Sequence, residues 1–226
     1  MKQCPRCKSD NLCKDGIVKE KQRYKCKDCN YRFTVEKVGK PDKLKREALI
    51  LYLEGLGFRS IGRFLGVSHV AVFNWIKSFG EKLDEIRNSD DIEVVEIDEM
   101  HTFVGQKKKF VWIWIAVDRE GKKFINCEVG TRGTETGEKL WEKIKDKVKG
   151  KVCTDYWYPY EKFVPAEKHV QTKGETFTVE GYNSLFRHFL ARLRRKTKCY
   201  TKAVYMLIHS LKLIMFKWNN DLSILF

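Results

Sequence analysis

Apolar and polar residues recur with two different periods along this chain, and the changes of period divide it. From 44 to 79 the apolar positions follow three- and four-residue spacing. Ala48, Leu49, Leu51, Tyr52 and Leu53 describe one helix that Gly55 and Gly57 end. Ser60 is placed to cap a short second helix (IGRFL), Gly66 to turn the chain, and Ser68 to cap a third helix reaching about Phe79. In that third helix Val72, Trp75 and Ile76 fall inward. From 92 the period drops to two: 92–99 (IEVVEIDE) reads as a strand that delivers Asp98 at its end, FVWIWIAVD as a second strand, and 123–129 as a third. A helix over 137–149, with Leu140, Trp141, Ile144 and Val148 on one face, leads to an apolar run, 152–155 (VCTD), that ends on Asp155. That crossover permits the last strand to lie parallel to, and beside, the first. Beyond Thr178 the helical period returns. Tyr182, Leu185, Phe186, Phe189, Leu190 and Leu193 form one side of a long basic helix, and Glu180, Asn183, Arg187 and Arg194 the other. A final apolar helix over 202–218 is expected to pack on the sheet.

The fold expected is α/β: a mixed-sheet core over 92–226, preceded by a small cysteine-bearing ribbon over 1–36 and an all-α module over 42–82. Polar residues at 39–42 and 81–91 mark the boundaries. The ribbon rests on Cys4 and Cys7, one CxxC pair, and Cys26 and Cys29, another, with eighteen residues between them. This is the spacing of a tetrahedral four-thiolate zinc site; a redox pair is the competing reading, and Cys13 fits neither. So small a ribbon holds almost no apolar core, so zinc should supply most of its folding free energy. The N-terminus lacks the apolar core of an export signal, and the most apolar segment, 204–218, is interrupted by His209, Ser210, Lys212 and Lys217. No membrane partner is expected, and the chain reads as cytoplasmic and nucleoid-associated, where cysteines stay reduced.

The formal net charge of +15, spread along the whole sequence, changes the picture further. It points to a polyanionic partner, double-stranded DNA. Two short helices joined by a glycine turn form a helix-turn-helix, with His69, Val70, Phe73, Asn74 and Lys77 able to face a major groove. Lys107, Lys108 and Lys109 in a hairpin, and Asn183, Arg187 and Arg194 on the late helix, suit a phosphate backbone. Among these cations stand three carboxylates from two strand ends and a helix start: Asp98, Asp155 and Glu180. Such a set can hold two Mg²⁺ (or Mn²⁺) ions about 4 Å apart for phosphodiester attack. Glu99, Asp118 and Glu175 are alternative ligands, each otherwise a solvated charge, and His101 and His169 are candidate auxiliary contacts.

With these blocks in hand, the chain resembles the transposases of the insertion-sequence-one family. The likeness runs through CPRC and CKDC, the helix-turn-helix, VEIDEMHTFVGQKKK, CTDYWYPY and VEGYNSLFRHFLARLRRKT. It implies an RNase H-like core, an acidic triad on Asp98, Asp155 and Glu180, a basic residue at Arg187, and DNA cleavage and strand transfer at element ends and target. Bringing two ends together implies a homo-oligomer. Tyr156, Gly181 and Tyr182 depart from the family's flanking residues. A zinc and helix-turn-helix regulator that never cuts DNA, and an RNase H-like nuclease that cuts without joining, are the rival readings.

Overall fold

The computed structural model describes residues 2–35, 39–83 and 91–225, and it divides into two compact units, Met1–Leu44 and Lys45–Phe226. The boundary read at 81–91 lies outside the described residues over 84–90, as does the end of the ribbon at 36.

In the first unit β1 (Leu12–Val18), β2 (Lys21–Cys26) and β3 (Arg32–Thr34) make an antiparallel sheet in that order. Its described residues are mostly exposed or half-buried, and among them Cys4 and Cys26 are the ones wholly buried.

The second unit begins within α1 (Asp42–Leu53) and continues through α2 (Phe58–Phe64) and α3 (His69–Glu81). Ser68 caps α3 as expected, its hydroxyl accepting from the backbone N–H of Ala71 at 3.1 Å. Ser60 does not cap α2. The helix starts three residues earlier than expected, with Gly57 as its N-cap and no side-chain cap bond. The tight link between α2 and α3 depends on two glycines: Gly66 has φ +63, and a Cβ on Gly62 would come within 2.8 Å of the Val67 carbonyl oxygen.

After this come β4 (Ile92–Phe103), β5 (Phe110–Asp118), β6 (Lys123–Gly130), α4 (Thr134–Ile144), β7 (Val148–Thr154), α5 (Tyr160–Phe163), β8 (His169–Gln171), α6 (Phe177–Phe189) and α7 (Val204–Trp218). The five strands form one mixed sheet in the order β6-β5-β4-β7-β8, antiparallel from β6 to β4 and parallel from β4 to β8. The strand bearing Asp98 and the strand leading to Asp155 are therefore parallel neighbours.

Three expected boundaries move. β4 does not stop at Asp98 but runs on to Phe103, because it pairs with β5 as far as Phe103 opposite Phe110. α4 begins at Thr134 rather than 137 and ends at Ile144, where a single 3-10 turn gives way to β7. The basic helix ends at Phe189, so Leu190, Leu193 and Arg194 lie beyond it.

Both faces of the sheet are covered. Ile97, Trp114, Ala116 and Ile125 point to one side, against Leu140, Trp141 and Tyr160 of α4 and α5. Met100, Ile113, Ile115, Val117 and Phe124 point to the other, under α6 and α7. Leu49, Tyr52, Ile61 and Ile76 of α1, α2 and α3 belong to that same second cluster, so the helical trio and the sheet share one core. Among the described residues no helix is long and apolar enough to cross a membrane.

Candidate active site

Parallel pairing directs the first two carboxylates toward the same end of the sheet. Glu96 on β4 lies opposite Cys153 on β7. Asp98 and Asp155 each lie two residues beyond that pair. Asp155 falls just past the end of β7, where its Oδ1 accepts from the backbone N–H of Trp157 at 2.9 Å and bends the chain off the sheet.

The third carboxylate is carried in by α6, which is pinned to β4 at two points. Asn183 Nδ2 donates to Asp98 Oδ2 at 2.6 Å, and the backbone N–H of Val179 donates to Glu96 Oε2 at 2.8 Å. Glu96 and Asp98 are two apart on a strand, and Val179 and Asn183 are four apart on a helix, so each pair shares a face and the two periods meet. The helix's own N-cap, Thr176, makes no side-chain cap bond. Glu96, with no exposed surface, takes that role from another element and sets its charge at the positive end of the helix dipole. Arg119 pairs with Glu96 and also with Glu175, and its guanidinium lies 5.0 Å from the ring centre of Phe177. Glu180, next to Val179, is exposed beside this pinned face.

Burial leads in pushing the Asp98 carboxyl up to about 6; the backbone amide of Glu99 opposes it, and the charges of Glu99, Asp155 and Glu180 add to it. Asp155 and Glu180 are thus both near enough to be felt by Asp98.

A second network lies behind Asp98 on the other face of β4. Tyr160 donates its hydroxyl to Glu99 Oε2 at 2.6 Å and Arg132 Nε donates to Oε1 at 2.9 Å. The Arg132 guanidinium sits between indoles, 4.6 Å from the ring centre of Trp112 and 4.0 Å from that of Trp157. Burial first, then the Glu99 charge, holds the Tyr160 hydroxyl well above its ordinary value.

Side chains read from sequence as alternatives are occupied elsewhere. Glu99 is buried in that network rather than solvated. Asp118 Oδ1 accepts from the backbone of Glu120 and Gly121 in a turn, and Glu175 is held by Arg119. His101 packs on Phe110 and Trp112. His169 Nε2 lies 2.8 Å from the Thr154 hydroxyl, and burial lowers its pKa.

Of the residues read for DNA contact, His69 and Asn74 are exposed on α3. Lys77 is half-buried, 3.4 Å from Glu81 and above the ring of Tyr205, and Phe73 turns inward onto Phe58. Lys107, Lys108 and Lys109 are exposed in the turn between β4 and β5. The neighbouring Gly105 donates its N–H to the Thr201 carbonyl at 2.8 Å, tying that turn to the basic segment 194–202. Arg187 is half-exposed on α6; Arg194 is exposed and donates to the His188 carbonyl. Asn183 does not face solvent: it is 6 % exposed, and its Oδ1 has no partner among the described residues. Sequence reasoning missed Glu96, Arg119, Arg132 and Tyr160. For Glu96 a signal existed, since period two puts it on the same side of the strand as Asp98.

In the first unit Cys4, Cys7, Cys26 and Cys29 bring their sulfurs within 4.8 Å of one another, a cluster compatible with a zinc site. Cys4 Sγ lies 3.6 Å from Cys29 Sγ and Cys7 Sγ 3.5 Å from Cys26 Sγ. Burial works against ionisation of Cys4, yet the backbone amides of Cys7 and Arg6, together with the side chains of Cys29 and Cys7, outweigh it and bring the thiol down to about 7. The backbone amide of Cys29 leads in lowering Cys26. Each CxxC loop thus turns its amides toward its first sulfur.

Residues 92–216 match the family model described as IS1 transposase. The chain is 32 % identical over 111 residues to the insertion element iso-IS1n protein InsB of Shigella dysenteriae, covering 49 % of this chain and 85 % of that one. It is 34 % identical over 116 residues to the insertion element IS1 4 protein InsB of Escherichia coli (strain K12), covering 51 % and 70 %. A solved chain from a simian T-cell lymphotropic virus intasome complex matches at 11 % identity and a TM-score of 0.33, over 74 % of each chain, a likeness too slight to define the fold. The chain belongs to the IS1 transposase family. It is accordingly an insertion-sequence transposase.

Proposed function

We propose that this transposase cuts and joins DNA through divalent metal held by Asp98, Asp155 and Glu180 on an RNase H-like core. The observation that carries the reading is the convergence of two carboxylates from adjacent parallel strands with a third from α6, close enough that Asp155 and Glu180 help raise the pKa of Asp98. Carboxylates that repel one another when empty, beside the unpartnered amide oxygen of Asn183, fit a hard cation such as Mg²⁺ or Mn²⁺. Bound there, the metal would neutralise phosphate charge and lower the pKa of a coordinated water.

The chain's own residues supply position. Asn183 orients Asp98 through Oδ2, Glu96 and Arg119 fix the start of α6 and hence Glu180, and the turn held by Trp157 fixes Asp155. Arg187, two turns beyond Glu180, would contact the scissile phosphate or its neighbour. Lys107, Lys108, Lys109 and Arg194 would follow the backbone of double-stranded DNA, α2 and α3 would act as a helix-turn-helix reading the element ends through His69, Asn74 and Lys77, and the cysteine ribbon would hold zinc. The division of labour over 1–36, 42–82 and 92–226, and a homo-oligomer bringing two ends together, belong to the same proposal.

The test is cleavage of labelled DNA carrying the element ends, with Mg²⁺, by wild type and Glu180→Gln. The variant should bind as before and lose cutting by several orders of magnitude. Cutting retained in Glu180→Gln would remove this carboxylate from the site. Specific binding by wild type with no cutting would favour the regulator.

A further inference from the structure

A cavity of about 480 Å³ opens on the second unit between α2, the start of α3 and the segment 191–206, away from the three carboxylates. Its size is that of a pocket for a small organic group. Phe58, Phe73 and Met206 line it with apolar surface, and Tyr200 and Tyr205 stand exposed at its edge. The charges around it are of one sign: Arg59, Lys198 and Lys202 line it, and none of its lining residues is acidic.

Arg192 is the telling residue. It is 8 % exposed, its Nε donates to the Tyr52 hydroxyl at 2.9 Å, and its guanidinium lies 5.4 Å from the ring centre of Phe58. Among the described residues no carboxylate pairs with it. A buried guanidinium without a counter-ion is costly, and the remaining donors of its planar fork match phosphate oxygens. Aromatic side chains offer a face to a flat ring, and cations offer contacts to its phosphate, which together are the chemistry of an unpaired nucleotide. The exposed cations of 194–202 lead to the opening, and α3 begins at its edge with His69 and Val70.

We propose that this cavity receives one unstacked nucleotide of the bound DNA, its base among Phe58, Phe73 and Tyr200 and its phosphate on Arg192. This rests on the DNA-binding reading above but is separate from the carboxylate site. A base inside a duplex cannot enter, so the pocket would distinguish distorted or single-stranded positions from regular ones.

The experiment uses the full chain with no magnesium added and two duplexes carrying one 2-aminopurine, either paired or as a single-nucleotide bulge. The bulged duplex should bind about tenfold more tightly, with its fluorescence quenched on binding. Tyr200→Ala should abolish both differences and leave the paired duplex bound as before. Arg192→Met should do the same while melting no lower than wild type, since Tyr52 keeps its bond to Ser210 at 2.7 Å. Equal affinity for the two duplexes with unchanged fluorescence would overturn the proposal and leave DNA binding intact. Binding to neither would remove the DNA reading itself. Saturable binding of dAMP with no preference for the bulge would make this a mononucleotide site, and competition by an acidic peptide equal to that of the bulged duplex would make it a peptide site; either overturns the assignment to DNA.

Discussion

Replacing Asp98 by asparagine should make the metal-free protein more stable while removing a ligand of the proposed magnesium site. The carboxyl is raised from 3.8 to about 6, and at about 1.4 kcal/mol for each tenfold change in affinity this is at most ~3 kcal/mol. A raised folded-state pKa means that the folded chain holds the proton more tightly than the unfolded chain. Its contribution to stability is therefore complete below the ordinary carboxylate range and is lost as pH rises through about 6. At neutral pH the wild type carries that loss, whereas the Asp98→Asn side chain would have nothing to ionise and would keep an oxygen for Asn183 to donate to. For a unit of this size the gain is roughly 5–10 °C in melting temperature. All six tryptophans, Trp75, Trp112, Trp114, Trp141, Trp157 and Trp218, lie in the second unit, so intrinsic fluorescence follows its unfolding alone. The advantage of the variant should shrink as pH falls toward 4, and millimolar magnesium should raise the wild-type melting temperature and leave the variant unmoved. A variant that melts at or below wild type at neutral pH, or that gains equally from magnesium, would refute the reasoning.

Three further outcomes are expected. Cys26→Ser should lose zinc, giving a metal content well below one ion per chain by atomic spectroscopy, because a closed four-thiolate site tolerates the loss of a ligand poorly. Glu175→Gln should cut DNA within about tenfold of wild type, because its partner Arg119 keeps Glu96; a loss matching that of Glu180→Gln would move the third ligand to residue 175. Asn74→Ala combined with Lys77→Ala should weaken binding to element ends by about tenfold or more while magnesium-dependent nicking of unrelated DNA persists, as measured by gel shift and nicking assays.

Much of this arrangement was legible because it depends on periods that a single strand or helix cannot hide. The alternation in FVWIWIAVD places Ile113 and Ile115 on one face and Trp114 and Ala116 on the other, as the two buried clusters have them. The crossover through Leu140, Trp141 and Ile144 made β4 and β7 parallel neighbours. Tertiary contacts overrode local preference elsewhere. LARLRRK has the composition of a helix, yet α6 ends at Phe189, and Leu190, Arg192 and Leu193 are buried in extended and turn segments against α1 and α2. Asn183 reads from the sequence as a DNA contact beside Arg187, but it is drawn inward by Asp98, a partner 85 residues away. No local pattern announces such a bond. Ser60 looks like a cap only because serine commonly is one; with Phe58 packed on Tyr52, α2 starts three residues earlier.

The positioning of Glu180 follows from these same long-range contacts. An exposed carboxylate near the start of a 13-residue helix would wander with any fraying of the first turn, where backbone N–H groups lack helical partners. Here the N–H of Val179, the residue before it, is bonded to Glu96, and Glu96 is two residues from Asp98 on a strand paired on both sides. The helix end that carries the third carboxylate is thus fixed to the strand that carries the first, and Asn183 repeats the attachment one turn later. Glu96 can remain charged with no exposed surface because Arg119 pairs with it and an amide donates to it, the condition under which a buried carboxylate is tolerated. Precision at the carboxylates proposed to hold metal is therefore built from a charged residue that never needs to touch metal or DNA.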